Sequence, residues 1–162
     1  MTPSPSQGQA PCEEARQSMS DSSPFERYVA IGDSSTEGLD DPDGNGGYRG
    51  WADRLAETIA RQQGRLLYAN LGIRGRRTRQ IREQQLPRAL AMKPDLVTLF
   101  AGTNDVVSRS FDVRAVERDL ELMQRALIDQ GATVLTFTLP DLSLVLPTAR
   151  SLFPKVASYN AA

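Results

Sequence analysis

The sequence predicts an α/β protein, a three-layer α/β/α sandwich on a parallel sheet. Two observations carry this expectation. Short apolar runs alternate with amphipathic helical segments along the chain, and such alternation is satisfied by parallel strands covered by helices on both faces. The runs are also brief and apolar throughout, as strands buried on both sides require.

Taken in order, Tyr28-Val29-Ala30-Ile31 is the first such run, and it ends at Gly32 in the manner of a buried strand entering a tight turn. After a Gly- and Asp-rich loop, Trp51, Leu55 and Ile59 recur four apart with Ala52 and Ala56 beside them. They form one apolar helix face, stopped near Gly64, with Trp51 expected in the core. Arg65 to Asn70 reads as the second strand. Thr78 is placed to cap a helix carrying Ile81 and Leu86, which Pro87 interrupts or restarts.

Asp95 to Phe100 is the third strand, set off by Pro94, which discourages continuation of the preceding helix. Val113, Val116, Leu120, Met123 and Leu127 follow steps of three and four, the clearest amphipathic helix in the chain, and Gly131 closes it. Thr133 to Thr138 is the fourth strand. Beyond it, a loop with Pro147 and Pro154 leads into a helix start. A doubly wound sheet of order 2-1-3-4-5 would cover strand four with a fifth, which this sequence does not supply, so strand four is expected to carry an exposed edge.

The chain has 162 residues, one domain's worth, with 19 basic and 20 acidic side chains and no histidine. This balance gives no global field for nucleic acid or an anionic membrane. A single cysteine, Cys12, excludes an intrachain disulfide and a thiolate metal cluster. Residues 1–25 are rich in Ser, Pro and Gln and lack the apolar core of a secretory signal, which predicts a disordered tail and a cytoplasmic protein. Met19 is an alternative start. The folded domain is expected over 26–162, and no apolar run is long enough to span a membrane.

Ligands of open parallel sheets sit beyond the carboxyl ends of the strands, where strand order reverses. Three loops meet there: Gly32 to Gly38 (GDSSTEG), Asn70 to Gly75 (NLGIRG) and Ala101 to Asp105 (AGTND). A strand-to-helix turn would lift the Ser34 hydroxyl above the sheet, with backbone N–H groups positioned for a developing oxyanion. Gly72 could bring its N–H close because no side chain blocks the approach, and Asn104 could donate a side-chain amide. One nucleophile would then face three donors, a constellation suited to acyl transfer. A serine hydroxyl also needs a base, most often imidazole, and the composition provides none.

These three motifs, in this order at strand ends, resemble the SGNH hydrolases, also called GDSL esterases and lipases, over roughly residues 26–162. The resemblance implies a flavodoxin-like sheet of order 2-1-3-4-5 with its fifth strand missing here, and no metal or organic cofactor. It implies Ser34 as nucleophile, Gly72 and Asn104 as oxyanion donors, and a small-molecule ester as substrate. Ser35 stands where the family often has Leu. The segments YRGWADRLAETIA, LPRALAMKPDLVTLFAGTNDV and GATVLTFTLPDL are similar to bacterial GDSL-type esterases. The family's final Asp-x-x-His block has no counterpart: Asp141 is followed at that spacing by Leu144. The expectation is therefore an N-terminal portion of such a hydrolase, inactive or weakly active as it stands. A catalytically dead ester- or carbohydrate-binding domain is one alternative. Another is a flavodoxin-like phosphate binder, although GDSSTEG lacks the P-loop lysine.

Other features have plainer readings. Asp33 reads as a turn-stabilising side chain. Asp41-Pro42-Asp43-Gly44-Asn45-Gly46 mimics the first half of a calcium loop, but Ala52 stands where the bidentate glutamate belongs, which leaves a solvated loop. Arg74, Arg76, Arg77, Arg79 and Arg82 form either a solvated basic face or an attractor for an anionic substrate; nucleic-acid binding would need aromatic interleaving that is absent.

Overall fold

The computed structural model describes residues 25–141 and 147–161, of which 147–149 by their backbone only. The expectations for Cys12, Met19 and Leu144 fall outside these residues. Four parallel strands form one sheet in the order β2-β1-β3-β4: β1 Arg27–Gly32, β2 Leu67–Asn70, β3 Leu96–Phe100 and β4 Thr133–Thr136. The helices are α1 Ser34–Glu37, α2 Trp51–Gln63, α3 Thr78–Gln84, α4 Leu86–Ala91, α5 Thr103–Val106, α6 Val113–Asp129 and α7 Phe153–Ala161, the last entered through a 3-10 turn at Pro147–Leu152. None of the described helices is long and apolar enough to cross a membrane.

Side-chain alternation along the strands builds a core on each face. Val29, Ile31, Val97 and Leu99 point to one side, where Ile81, Ala89, Met123 and Leu127 of α3, α4 and α6 close over them. Tyr28, Ala30 and Leu96 point to the other, under Ala52 and Ala56 of α2. That second face holds a buried polar pair, Tyr28 Oη and Thr98 Oγ1 at 2.8 Å, so the phenol is satisfied; burial pushes its pKa up to about 12. Trp51 is half-buried at the rim of this face, edge-on to Phe137 with ring centroids 5.1 Å apart.

Helix ends follow the sequence, with one difference. The predicted stop at Gly131 is a Schellman closure: Gly131 has φ 89°, its N–H donates to Ile128 O at 2.8 Å, and Ala132 N–H to Leu127 O at 3.1 Å. Gly64 ends α2 in the same left-handed conformation, and α6 starts on Asp112, whose carboxylate accepts the N–H groups of Arg114 and Ala115. Thr78, however, does not cap α3. It is the first helical residue, and both its N–H (2.9 Å) and its hydroxyl (2.8 Å) donate to Asp105 Oδ2. A carboxylate is the stronger acceptor, and it ties the start of α3 to α5, the short helix after β3.

Among the described residues β4 pairs on one side only, with β3. Its edge faces outward, and Leu135 is exposed there. In the Asp-rich loop, Asp43 accepts the N–H groups of Asn45 and Gly47, and Asp41 pairs with Arg54 at 2.8 Å, so these carboxylates stabilise the loop itself.

Candidate active site

β1 delivers the site. Gly32 ends the strand so tightly packed that a β-carbon there would lie 2.2 Å from Thr36 Oγ1 and 2.4 Å from the Phe100 carbonyl oxygen. Gln85, buried between α3 and α4, grips it from below: the Gly32 N–H donates to Gln85 Oε1 and Gln85 Nε2 donates to Gly32 O, both at 2.8 Å. Asp33 then caps α1 by accepting the Ser35 N–H at 3.0 Å. Ser34 is thereby the first residue of α1, half-buried, at the carboxyl end of a central strand.

The second and third loops close on this turn. Gly72 packs against α1, where a β-carbon would sit 2.6 Å from Glu37 N, so only glycine fits without movement. Its N–H donates to Asn70 Oδ1 at 3.0 Å, while Asn70 Nδ2 donates to the Thr36 carbonyl at 2.7 Å. Asn104 lies in α5, just after Gly102 at φ 107°. Its amide donates to Asp33 Oδ2 at 3.2 Å and to the Arg76 carbonyl at 2.9 Å. Two separate sets of hydrogen bonds thus converge on α1: Asn70 joins Gly72 to Thr36, and Asn104 joins Asp33, the residue before Ser34, to Arg76. Both predicted donors are satisfied by internal oxygens.

Asp33 is 1% exposed, and burial raises its pKa, an effect partly opposed by the Ser35 N–H. Farther out, Arg74 clasps Glu37 through its backbone N–H (2.9 Å) and its guanidinium (3.0 Å) and lies over the Tyr48 ring. The guanidinium beside it lowers the Glu37 pKa. Arg79 pairs with Glu83 and Arg82 with Asp119, so three members of the arginine cluster are ion-paired.

A family model described as GDSL-like Lipase/Acylhydrolase matches residues 30–162. The chain belongs to that family. Solved structures with the same fold include TesA, at 25% identity and TM-score 0.64, covering 84% of this chain and 73% of that one. The lipase/acylhydrolase from Enterococcus faecalis aligns at 24% identity and TM-score 0.60, over 82% of this chain and 69% of that one. AlinE4, an SGNH-hydrolase family esterase, aligns at 21% identity and TM-score 0.59, over 85% and 73%. No curated protein matches the sequence significantly.

For a GDSL-like hydrolase the geometry adds residues that motif reading misses. Gln85 has no signal in the sequence, because its role is a tertiary clamp on Gly32 across 53 positions. Asn70 and Asp105 stand within the quoted loops but gain meaning only from their partners. An apolar cavity of about 190 Å³ opens beside Ser35, lined by Phe100, Val106, Leu139, Phe153 and Val156. It adjoins the residue after Ser34, whereas Ser34, Gly72 and Asn104 are not among its described lining.

Proposed function

We propose that this GDSL-family hydrolase acts on carboxylic esters through Ser34. The observation that carries the reading is the Asn104 amide bonded to Asp33, the residue immediately before Ser34, with Gly72 packed on the same turn. In the reaction Ser34 Oγ bonds to the ester carbonyl carbon as its proton passes to solvent. The bond from that carbon to the alkoxy oxygen breaks, and the alkoxide takes a proton from water to leave as the alcohol. A second water then cleaves the acyl-serine bond, releasing the acid and restoring the serine. The tetrahedral oxyanion would take the N–H groups of Ser34 and Gly72 and the Asn104 amide. For this, Gly72 exchanges Asn70 Oδ1, and Asn104 exchanges the longer Asp33 contact, for the substrate oxygen; such contacts commonly form only with substrate bound. The neighbouring apolar cavity suits a small acyl group.

No imidazole in this chain receives the Ser34 proton, so turnover is expected to be slow. A small alkyl fluorophosphonate tests the reading directly. Ser34 Oγ bonds phosphorus, fluoride leaves, and the proton passes to solvent. The adduct is expected on Ser34 by peptide mass spectrometry, and Ser34→Ala should abolish it. Labelling elsewhere or not at all would sink the proposal. A binding module is the second reading, favoured by the internal engagement of both donors. Retention of a non-hydrolysable ester analogue without labelling would establish it.

A further inference from the structure

We infer that α7 braces the Asn104 turn, with Tyr159 and Lys155 as positioning residues that hold segment 101–108 from its two ends; this rests on the reading of Asn104 as an oxyanion donor. The Tyr159 hydroxyl donates to the Ala101 carbonyl at 2.7 Å, two residues before the turn tightens. Its ring lies so close to Gly102 that a β-carbon there would meet Tyr159 Cε2 at 2.3 Å, and Gly102 holds φ 107° under it. One helical turn earlier, Lys155 Nζ donates to the carbonyls of Val106 (3.2 Å) and Ser108 (2.7 Å) and sits over the Phe111 ring.

Positions 155 and 159 are four apart, hence on one face of α7, and their contacts bracket α5. The Lys155 ammonium also meets carbonyls at the C-terminal end of α5, where a cation is favoured. Burial pushes the Tyr159 phenol up to about 12, so it keeps its donor proton throughout the neutral range. Asp105, inside the bracketed segment, is fixed separately by Thr78. What α7 adds is restraint on the backbone just before and just after Asn104. A third α7 side chain, Asn160, bonds the N–H and carbonyl of Leu139 instead and has no contact of this kind with the turn.

The test uses the full chain as Tyr159→Phe, Lys155→Met and, for comparison, Asn160→Ala. The second-order rate of Ser34 labelling by the fluorophosphonate is measured beside backbone hydrogen exchange over 101–108. Loosening an oxyanion donor should slow labelling by about tenfold in Tyr159→Phe and Lys155→Met, with faster exchange in 101–108. Asn160→Ala should lose thermal stability yet leave exchange over 101–108 at the wild-type rate. Wild-type rates in the first two variants would overturn the inference, as would equally faster exchange over 101–108 in Asn160→Ala, which would reduce α7 to general stabilisation. If Ser34 in the unmodified chain is not labelled, the ester-hydrolase reading fails. Exchange over 101–108 then decides the brace alone: unchanged protection in both variants would overturn it.

Discussion

Asp33 combines a hydrogen-bonding role with an electrostatic cost. Its carboxylate caps α1 and accepts from Asn104, yet burial raises its pKa, so the folded chain favours the protonated form relative to the unfolded one. The folded state therefore binds more protons over the interval between the two pKa values, and this contribution to stability falls as pH rises through it. Urea unfolding of the wild type and Asp33→Asn at several values from pH 4 to 7 checks the sign. The wild type should lose stability relative to the variant as pH rises; a gain would contradict the burial argument. The sequence showed Asp33 as a turn-stabilising residue, which its bond to the Ser35 N–H matches. Its link to Asn104 spans 71 positions and leaves no local trace.

At the level of elements, strand and helix positions were legible because each is written in local periodicity. All four strands appear where apolar runs end in turn residues, with ends shifted by a residue or two. The stops at Gly64 and Gly131 needed only the left-handed backbone that glycine tolerates. What failed to show was any role set by an element's neighbours. Thr78 has the chemistry of a cap, but Asp105 supplies a better acceptor from α5. Gln85 is the clearest case, since a glutamine beside Leu-Pro gives no hint of a buried clamp between two helices. Replacing it by leucine strands the groups it satisfies on Gly32, and the cost should be about 1–3 kcal/mol in chemical denaturation. A loss well under that range would mean Gly32 finds other partners.

For the whole molecule, the sheet is protected unevenly. Its centre is covered on both faces, while among the described residues β4 offers an unpaired edge with Leu135 44% exposed and no charged side chain from Thr133 to Thr136. Such an edge is a template for strand pairing. The chain should associate with itself as concentration rises, and Leu135→Lys should suppress this while leaving the fold intact. Light scattering across a dilution series, with circular dichroism as the control, measures both. Scattering that is unchanged by the substitution would move the association surface elsewhere.

The bond from Tyr159 to the Ala101 carbonyl also imposes an order of events in time. It closes a loop of 58 positions, and the Asn104 to Asp33 bond closes one of 71, so neither can form until distant stretches have been made and brought together. Strand pairing and the α6 packing need only residues made before Tyr159, so they can precede its bond during synthesis. The turn that carries Asn104 is then braced last, after the sheet that holds it is built.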